Sequence, residues 1–214
     1  MSGSALTLAY QPSLGCIRTL ILERLRCTLR HRHLELRSRQ TCPAGRDALK
    51  WALQTPEALQ YIHSRGVRQV DICTYNVLLD RGDNAKLVDF AGSPLDGSEP
   101  TVAPSAHSTH PRLSTFKPSV HSELFALGSL LYEIETTYQP FYERADHEVE
   151  ALFEANQFPS TGGLLLGVVI SKCWTIAYQN AGDVLTDLRS IEASMESNLV
   201  LVPQDERQTA PATS

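Results

Sequence analysis

A chain of 214 residues and 23.7 kDa that is 42% apolar and 20% charged has the composition of one globular domain with a real core, which excludes collagenous, disulfide-scaffold and wholly disordered classes. No stretch approaches the roughly eighteen uninterrupted apolar residues of a membrane span. The net charge of -5 is uneven, because the first 46 residues hold eight arginines, no lysine and two acids; these arginines interleave with Leu and Ile outside any nucleic-acid module, so neither nucleic acid nor membrane is expected as a partner.

Leu14, Ile17, Ile21 and Leu25 recur at three- and four-residue steps while Arg18, Arg24, Arg26, Arg30 and Arg32 take other positions, which predicts an amphipathic helix over residues 14–36. Residues 41–45 break it, and Asp47 is placed to cap a second helix through Leu49, Ala52 and Leu53. A mid-helix proline costs about 3 kcal/mol, so at Pro56 this helix either kinks or restarts with Thr55 as N-cap. Residues 58–64 are helical either way, and Gly66 stops them. The period then changes: residues 77–79 and 85–88 are strand-like runs joined by turn-forming residues 80–84, which predicts a hairpin. Residues 92–118, dense in Ser, Thr, Pro and Gly, are too long for a plain connector and read as a functional loop or a disordered segment. Helices resume with Ser122 placed to cap residues 123–135 and Asp146 placed to cap one through Phe153. An apolar run from Leu164 ends near Trp174, Asn180 is placed to cap a last helix through Met195, and the tail from Pro203 is disordered by composition.

Cys16, Cys27, Cys42, Cys73 and Cys173 are odd in number and irregularly spaced with no secretory leader, which predicts reduced thiols and a cytoplasmic location. Cys27, His31, His33 and Cys42 are zinc-compatible types, but they lack the paired Cys-x2-Cys spacing of a strong signal, and no zinc site is expected. The Arg- and Ser-rich N-terminus faintly resembles an organellar transit peptide; a solvated basic helix is the preferred reading.

Three residues stand apart from this structural background. Asp71 is followed five residues later by Asn76, and thirteen residues after that by Asp89 with Phe90, the predicted hairpin filling the interval. An Asp near an Asn is ordinarily turn chemistry. Here, however, residues 58–66 precede the pair as a helix with a glycine stop, Lys86, Leu87 and Val88 lead into Asp89, and Ser122 to Ile134 supply a long apolar helix. In that order and spacing the motifs resemble the catalytic loop, metal loop and buried central helix of protein kinases, over roughly residues 47–195. Gln139, Pro140 and Phe141, and Lys172, Cys173 and Trp174, fall where that lobe has similar motifs, and the wording of residues 89–93 and 125–128 looks most like the kinase-domain proteins numerous in fungi.

The resemblance implies a mostly α fold: a protein-kinase-like C-terminal lobe with a small β-hairpin and no N-lobe. The domains would be residues 1–46 as a basic, partly helical segment, 47–197 as the lobe and 198–214 as a disordered tail. It also implies ATP-dependent phosphoryl transfer to protein Ser/Thr or Tyr, with ATP and Mg2+ as cofactors. Asp71 would be the catalytic base, Asn76 and Asp89 the metal ligands, and Leu78 the aliphatic residue beneath adenine, or equally a core filler. Such residue types suit a reaction in which spread negative charge must be neutralised and a hydroxyl oriented.

Several family features are missing. Before Asp47 the glycines are Gly3, Gly15 and Gly45 and there is no lysine, so residues 1–46 hold neither a Gly-rich phosphate loop nor a strand lysine. Gln69 and Val70 replace the His-Arg before the base, Cys73 replaces a lysine, and Ala91 replaces the metal-loop glycine, leaving Gly92 to take the bend. No Ala-Pro-Glu closes the long loop, and the arginine often found near the last helices has no clear counterpart in residues 178–182. The expectation is a truncated kinase domain, inactive alone and binding ATP weakly or not at all; the alternatives are a pseudokinase-type module that binds a protein partner, or a fragment without function.

Overall fold

The computed structural model describes residues 22–94 and 98–200. Among them the order is β1 (Cys27–Thr28), α1 (Leu29–Ser38), α2 (Gly45–Ser64), β2 (Val77–Leu79), β3 (Ala85–Leu87), α3 (Val120–Thr136), α4 (Asp146–Glu154), α5 (Gly167–Trp174) and α6 (Ala181–Val200). The lobe is mostly helical with a small antiparallel sheet, as the sequence led one to expect.

The expected helix over residues 14–36 needs correction. Residues 14–21 lie outside the described part; residues 22–26 are not helical, β1 follows, and α1 starts only at Leu29. Thr28 decides the start: its backbone is extended, and its hydroxyl accepts the His31 N–H at 3.1 Å. Cys27 and Thr28 pair with Leu79 and Leu78, so the predicted hairpin of β2 and β3 gains a third strand. Three arginines of the basic head tie this region to the acidic body. Arg26 and Arg32 converge on Asp83 at 3.0 and 2.9 Å, and Arg30 meets the buried Glu133 at 3.0 Å.

α2 runs unbroken through Pro56, which is buried; Thr55 donates its hydroxyl to the Trp51 carbonyl at 2.9 Å. Asp47 lies in its first turn, one of the positions where a carboxylate complements the helix dipole, and the N-cap is Ala44. At α3 the cap is Ser119 rather than Ser122, and the two serines bond reciprocally. α4 starts at Asp146 behind Ala145, whose N–H donates to Glu148 at 3.0 Å. α5 begins at Gly167, because the Leu165 and Leu166 N–H groups are taken by the Glu135 carboxylate. Asn180 caps α6 as expected, accepting from Gly182 at 2.8 Å. The tail from Pro203 lies outside the described residues.

α3 is the spine of the core: Leu124, Phe125, Leu127, Leu130, Leu131 and Ile134 are all buried, α5 packs on one side, and α2 with α6 lies on another. Gly128 makes the α3–α5 approach possible, since a Cβ there would lie 2.7 Å from the Cys173 Cβ. The long 92–118 connection is not free where described. His107, within a single 3-10 turn (Ala106–Ser108), is buried with its ring nitrogen 2.6 Å from the Pro140 carbonyl. Gly92 serves close approach rather than a bend, because a Cβ there would meet Val102 at 2.3 Å. Gly92→Ala should therefore cost about 1–3 kcal/mol. Chemical denaturation checks this, and adding Val102→Ala should recover most of the loss.

The zinc-compatible set is not gathered: His33 is fully buried near Trp51, whereas His31 and Cys42 are exposed. Cys27, Cys42, Cys73 and Cys173 are free thiols, and no helix among the described residues is long and apolar enough to cross a membrane.

Candidate functional site

Asp71 and Asn76 lie on the loop between α2 and β2, Leu78 is the middle residue of β2, and Asp89 follows β3. The loop is fixed by polar groups reaching in from the core. The Asn76 side-chain nitrogen donates to the Asp71 carbonyl at 2.8 Å and to the Asp71 carboxylate at 2.9 Å. With its nitrogen committed to Asp71, Asn76 keeps its amide oxygen as an acceptor that could serve a hard cation. The Asp89 segment is tied to the same residue, since the Val88 N–H donates to the Asn76 carbonyl at 2.9 Å. Gln69, 1% exposed, completes the closure by donating its amide to the Val88 and Asp89 carbonyls at 3.2 and 3.0 Å.

The bend after β3 falls at Asp89 itself, whose φ is 60°; its carboxylate is exposed and accepts the Ala91 N–H at 3.3 Å. Asp and Asn tolerate this left-handed region better than most residues. Leu78 is half-buried between Thr28 and Lys86 in register, on the sheet face opposite the buried Val77 and Leu79.

Immediately before Asp71, Val70 is held at φ 75°, a strained setting for a β-branched residue. The hold is Glu123 at the start of α3, 1% exposed, whose carboxylate accepts the Val70 N–H at 2.8 Å and also pairs with His63 of α2. Ten residues along α3, Glu133 accepts the Thr74 hydroxyl at 3.0 Å and the Arg30 guanidinium. Two carboxylates from the central helix thus grip the loop on either side of Asp71. In the sequence Gln69 reads only as a replaced histidine, and Glu123 and Glu133 do not stand out, although acids inside an otherwise apolar helix face are the available signal.

Cys73, two residues after Asp71, supplies no positive charge. Burial first and the Asp71 carboxylate second push its thiol up to about 12 from 9.0. The folded thiol therefore stays neutral while an unfolded one ionises, so it costs stability as pH rises through that window. At pH 8 iodoacetamide should alkylate the exposed Cys42 at least tenfold faster than the half-buried Cys73, whose raised thiol is nearly all in the unreactive neutral form. Peptide mapping before and after denaturation would show this.

The chemistry available is a carboxylate beside a peptide loop, an amide oxygen and a second, exposed carboxylate. Hard oxygens of that kind suit Mg2+, which takes one or two protein carboxylates and leaves other positions to water and phosphate. Among the described residues no group of three His, Cys, Asp or Glu side chains could hold a metal by itself.

Residues 17–162 match the protein kinase domain family. Similar proteins include a probable inactive serine/threonine-protein kinase of Dictyostelium discoideum, 34% identical over 49% of this chain and 9% of that protein. Serine/threonine-protein kinase 36 of Mus musculus is 30% identical over 51% of this chain and 9% of its own length. The cAMP-dependent protein kinase type 3 of Saccharomyces cerevisiae is 31% identical over 43% and 24%. The chain spans about a tenth of the length of the first two.

Proposed function

The chain belongs to the protein kinase family, and from that premise we propose that it is a kinase C-terminal lobe, centred on residues 47–197, which does not transfer phosphate by itself. In this reading Asp71 orients and accepts the proton of a substrate hydroxyl, Asn76 and Asp89 hold Mg2+, and Leu78 packs beneath adenine. Bound Mg2+ would neutralise the phosphate oxygens of ATP. The observation that carries the reading is the double hydrogen bond from Asn76 to Asp71, which turns the amide oxygen into the available ligand beside a carboxylate.

What limits catalysis is cation supply. Phosphoryl transfer depends on several positive groups acting together; residues 1–46 hold no lysine, and Cys73 is a neutral thiol. Those two facts favour a pseudokinase-type module as the second reading, in which Asp71, Asn76 and Asp89 serve as a polar framework for binding a protein partner, and ATP binds weakly or not at all. The unpaired cysteines support a cytoplasmic location.

Purified chain incubated with radiolabelled Mg-ATP and a generic Ser/Thr or Tyr substrate should incorporate no label above background. Incorporation that vanishes in Asp89→Asn would overturn the inactivity and keep the assignment of the site.

A further inference from the structure

The connection between β3 and α3 carries two histidines, His107 and His110, that are held in opposite ways. The His107 Nδ1 lies 2.6 Å from the Pro140 carbonyl, which can only accept, so that nitrogen carries the hydrogen and donates it. Its Nε2 faces the Asp146 carboxylate at 3.8 Å. A second proton on His107 keeps the first bond and finds a counter-ion.

His110 is the reverse case. Its Nδ1 accepts the Arg112 N–H at 3.1 Å, so that nitrogen is free of hydrogen and the neutral ring carries its proton on Nε2. The Leu113 N–H donates to the His110 carbonyl at 3.2 Å. The partly buried ring stands edge-on to Phe125 of α3, with centroids 5.0 Å apart. With Val70, Thr109, Ser114 and Ser122 it lines a cavity of about 20 Å³, room for one water.

Among the described residues His110 forms no ion pair, and none of the residues lining its cavity is an acid. On α3, Glu123 is committed to the Val70 N–H and to His63. On α4, Asp146 faces His107, and Glu154 meets the Arg112 guanidinium only through its backbone carbonyl, at 3.4 Å. Burial first and the Arg112 cation second hold the His110 pKa below the usual 6.5.

We propose that His110 is an acid-sensitive latch: its neutral ring holds the connection against α3 beside Val70, and a proton on Nδ1 removes the acceptor, sets a second cation beside Arg112 and releases residues 109–115 from the lobe. The released ring takes up the proton with ordinary affinity and the latched ring less readily, so the closed form loses stability as pH falls below about 6.5. Opening uncovers the cavity at Val70, the residue that precedes Asp71.

Amide hydrogen exchange of the full chain at pH 7.5 and pH 5.0, corrected for the intrinsic rate at each pH, tests this at single amides. Protection of the Arg112 and Leu113 amides should fall by about threefold or more at pH 5.0, the ordinary histidine value setting a ceiling of about thirtyfold, whereas the Ser108 amide beside His107 should keep its protection. In His110→Asn, whose side-chain oxygen accepts from the amide two residues on and takes no proton in this range, the change should shrink to about 1.5-fold or less. Equal protection of Arg112 and Leu113 at the two pH values would overturn the proposal, as would an undiminished loss in His110→Asn. An equal loss at Ser108 would show general loosening and overturn it too. Nuclear magnetic resonance titration of the wild-type rings gives a reading that does not depend on the variant folding: a His110 midpoint at or above 6.5 would overturn the latch.

Discussion

Glu123→Ala should lower the unfolding free energy by about 3–5 kcal/mol, the range for removing one partner of a buried ion pair. The carboxylate is 1% exposed, and its loss strands His63 and the Val70 N–H together. An unpaired buried donor by itself costs about 1–3 kcal/mol. Because that N–H belongs to a strained left-handed residue next to Asp71, the damage should spread: backbone amides of residues 69–76 should exchange faster than those of α5 and α6. Urea denaturation with site-resolved exchange reads both. A loss below about 1 kcal/mol would mean that the loop keeps its shape without the carboxylate.

The second large effect is expected at Phe125. It is fully buried one turn into the central helix, with its ring centroid 5.2 Å from Phe153 and 5.0 Å from His110, both contacts edge-on. Phe125→Ala should cost about 3–5 kcal/mol. His110 sits in the 92–118 connection and Phe153 in α4, so the same substitution should release that connection from the body. Limited proteolysis should then cut within residues 98–118 at denaturant concentrations where the wild-type chain is resistant, and an intact connection in the folded variant would contradict the clamp.

How much of this was readable in advance depended on whether a signal was local. The hairpin of β2 and β3, the Asn180 cap and the apolar helix around Phe125 follow from period and turn residues a few positions apart, and the structure has them. Spacing singles out Asp71, Asn76 and Asp89; the structure joins Asn76 to Asp71 through its amide and to Val88, the neighbour of Asp89, through its carbonyl. The 14–36 helix was misjudged because apolar periodicity ran on across Thr28, a good cap, and because β1 exists only through a partner strand some fifty residues away. The starts of α2, α3 and α5 shifted by a few residues for similar reasons; the carboxylate that takes the Leu165 and Leu166 N–H groups belongs to Glu135, on another helix. Gln69 looked like a mere absence of histidine, and its role as a staple depends on carbonyls brought beside it only by the fold.

The arginines of β1 and α1 give the lobe an uneven response to ionic strength. Arg26 and Asp83 are 49% and 38% exposed, whereas Arg30 and Glu133 are 22% and 3% exposed. At about 1 M salt the Debye length shrinks to roughly 3 Å, which quiets the outer contact and leaves the inner one largely untouched. The first described segment is thus fastened twice, by a clasp that brine loosens and by a rivet that it does not, and its attachment to the body survives on Glu133 and the buried Leu29 side chain when surface charge no longer counts.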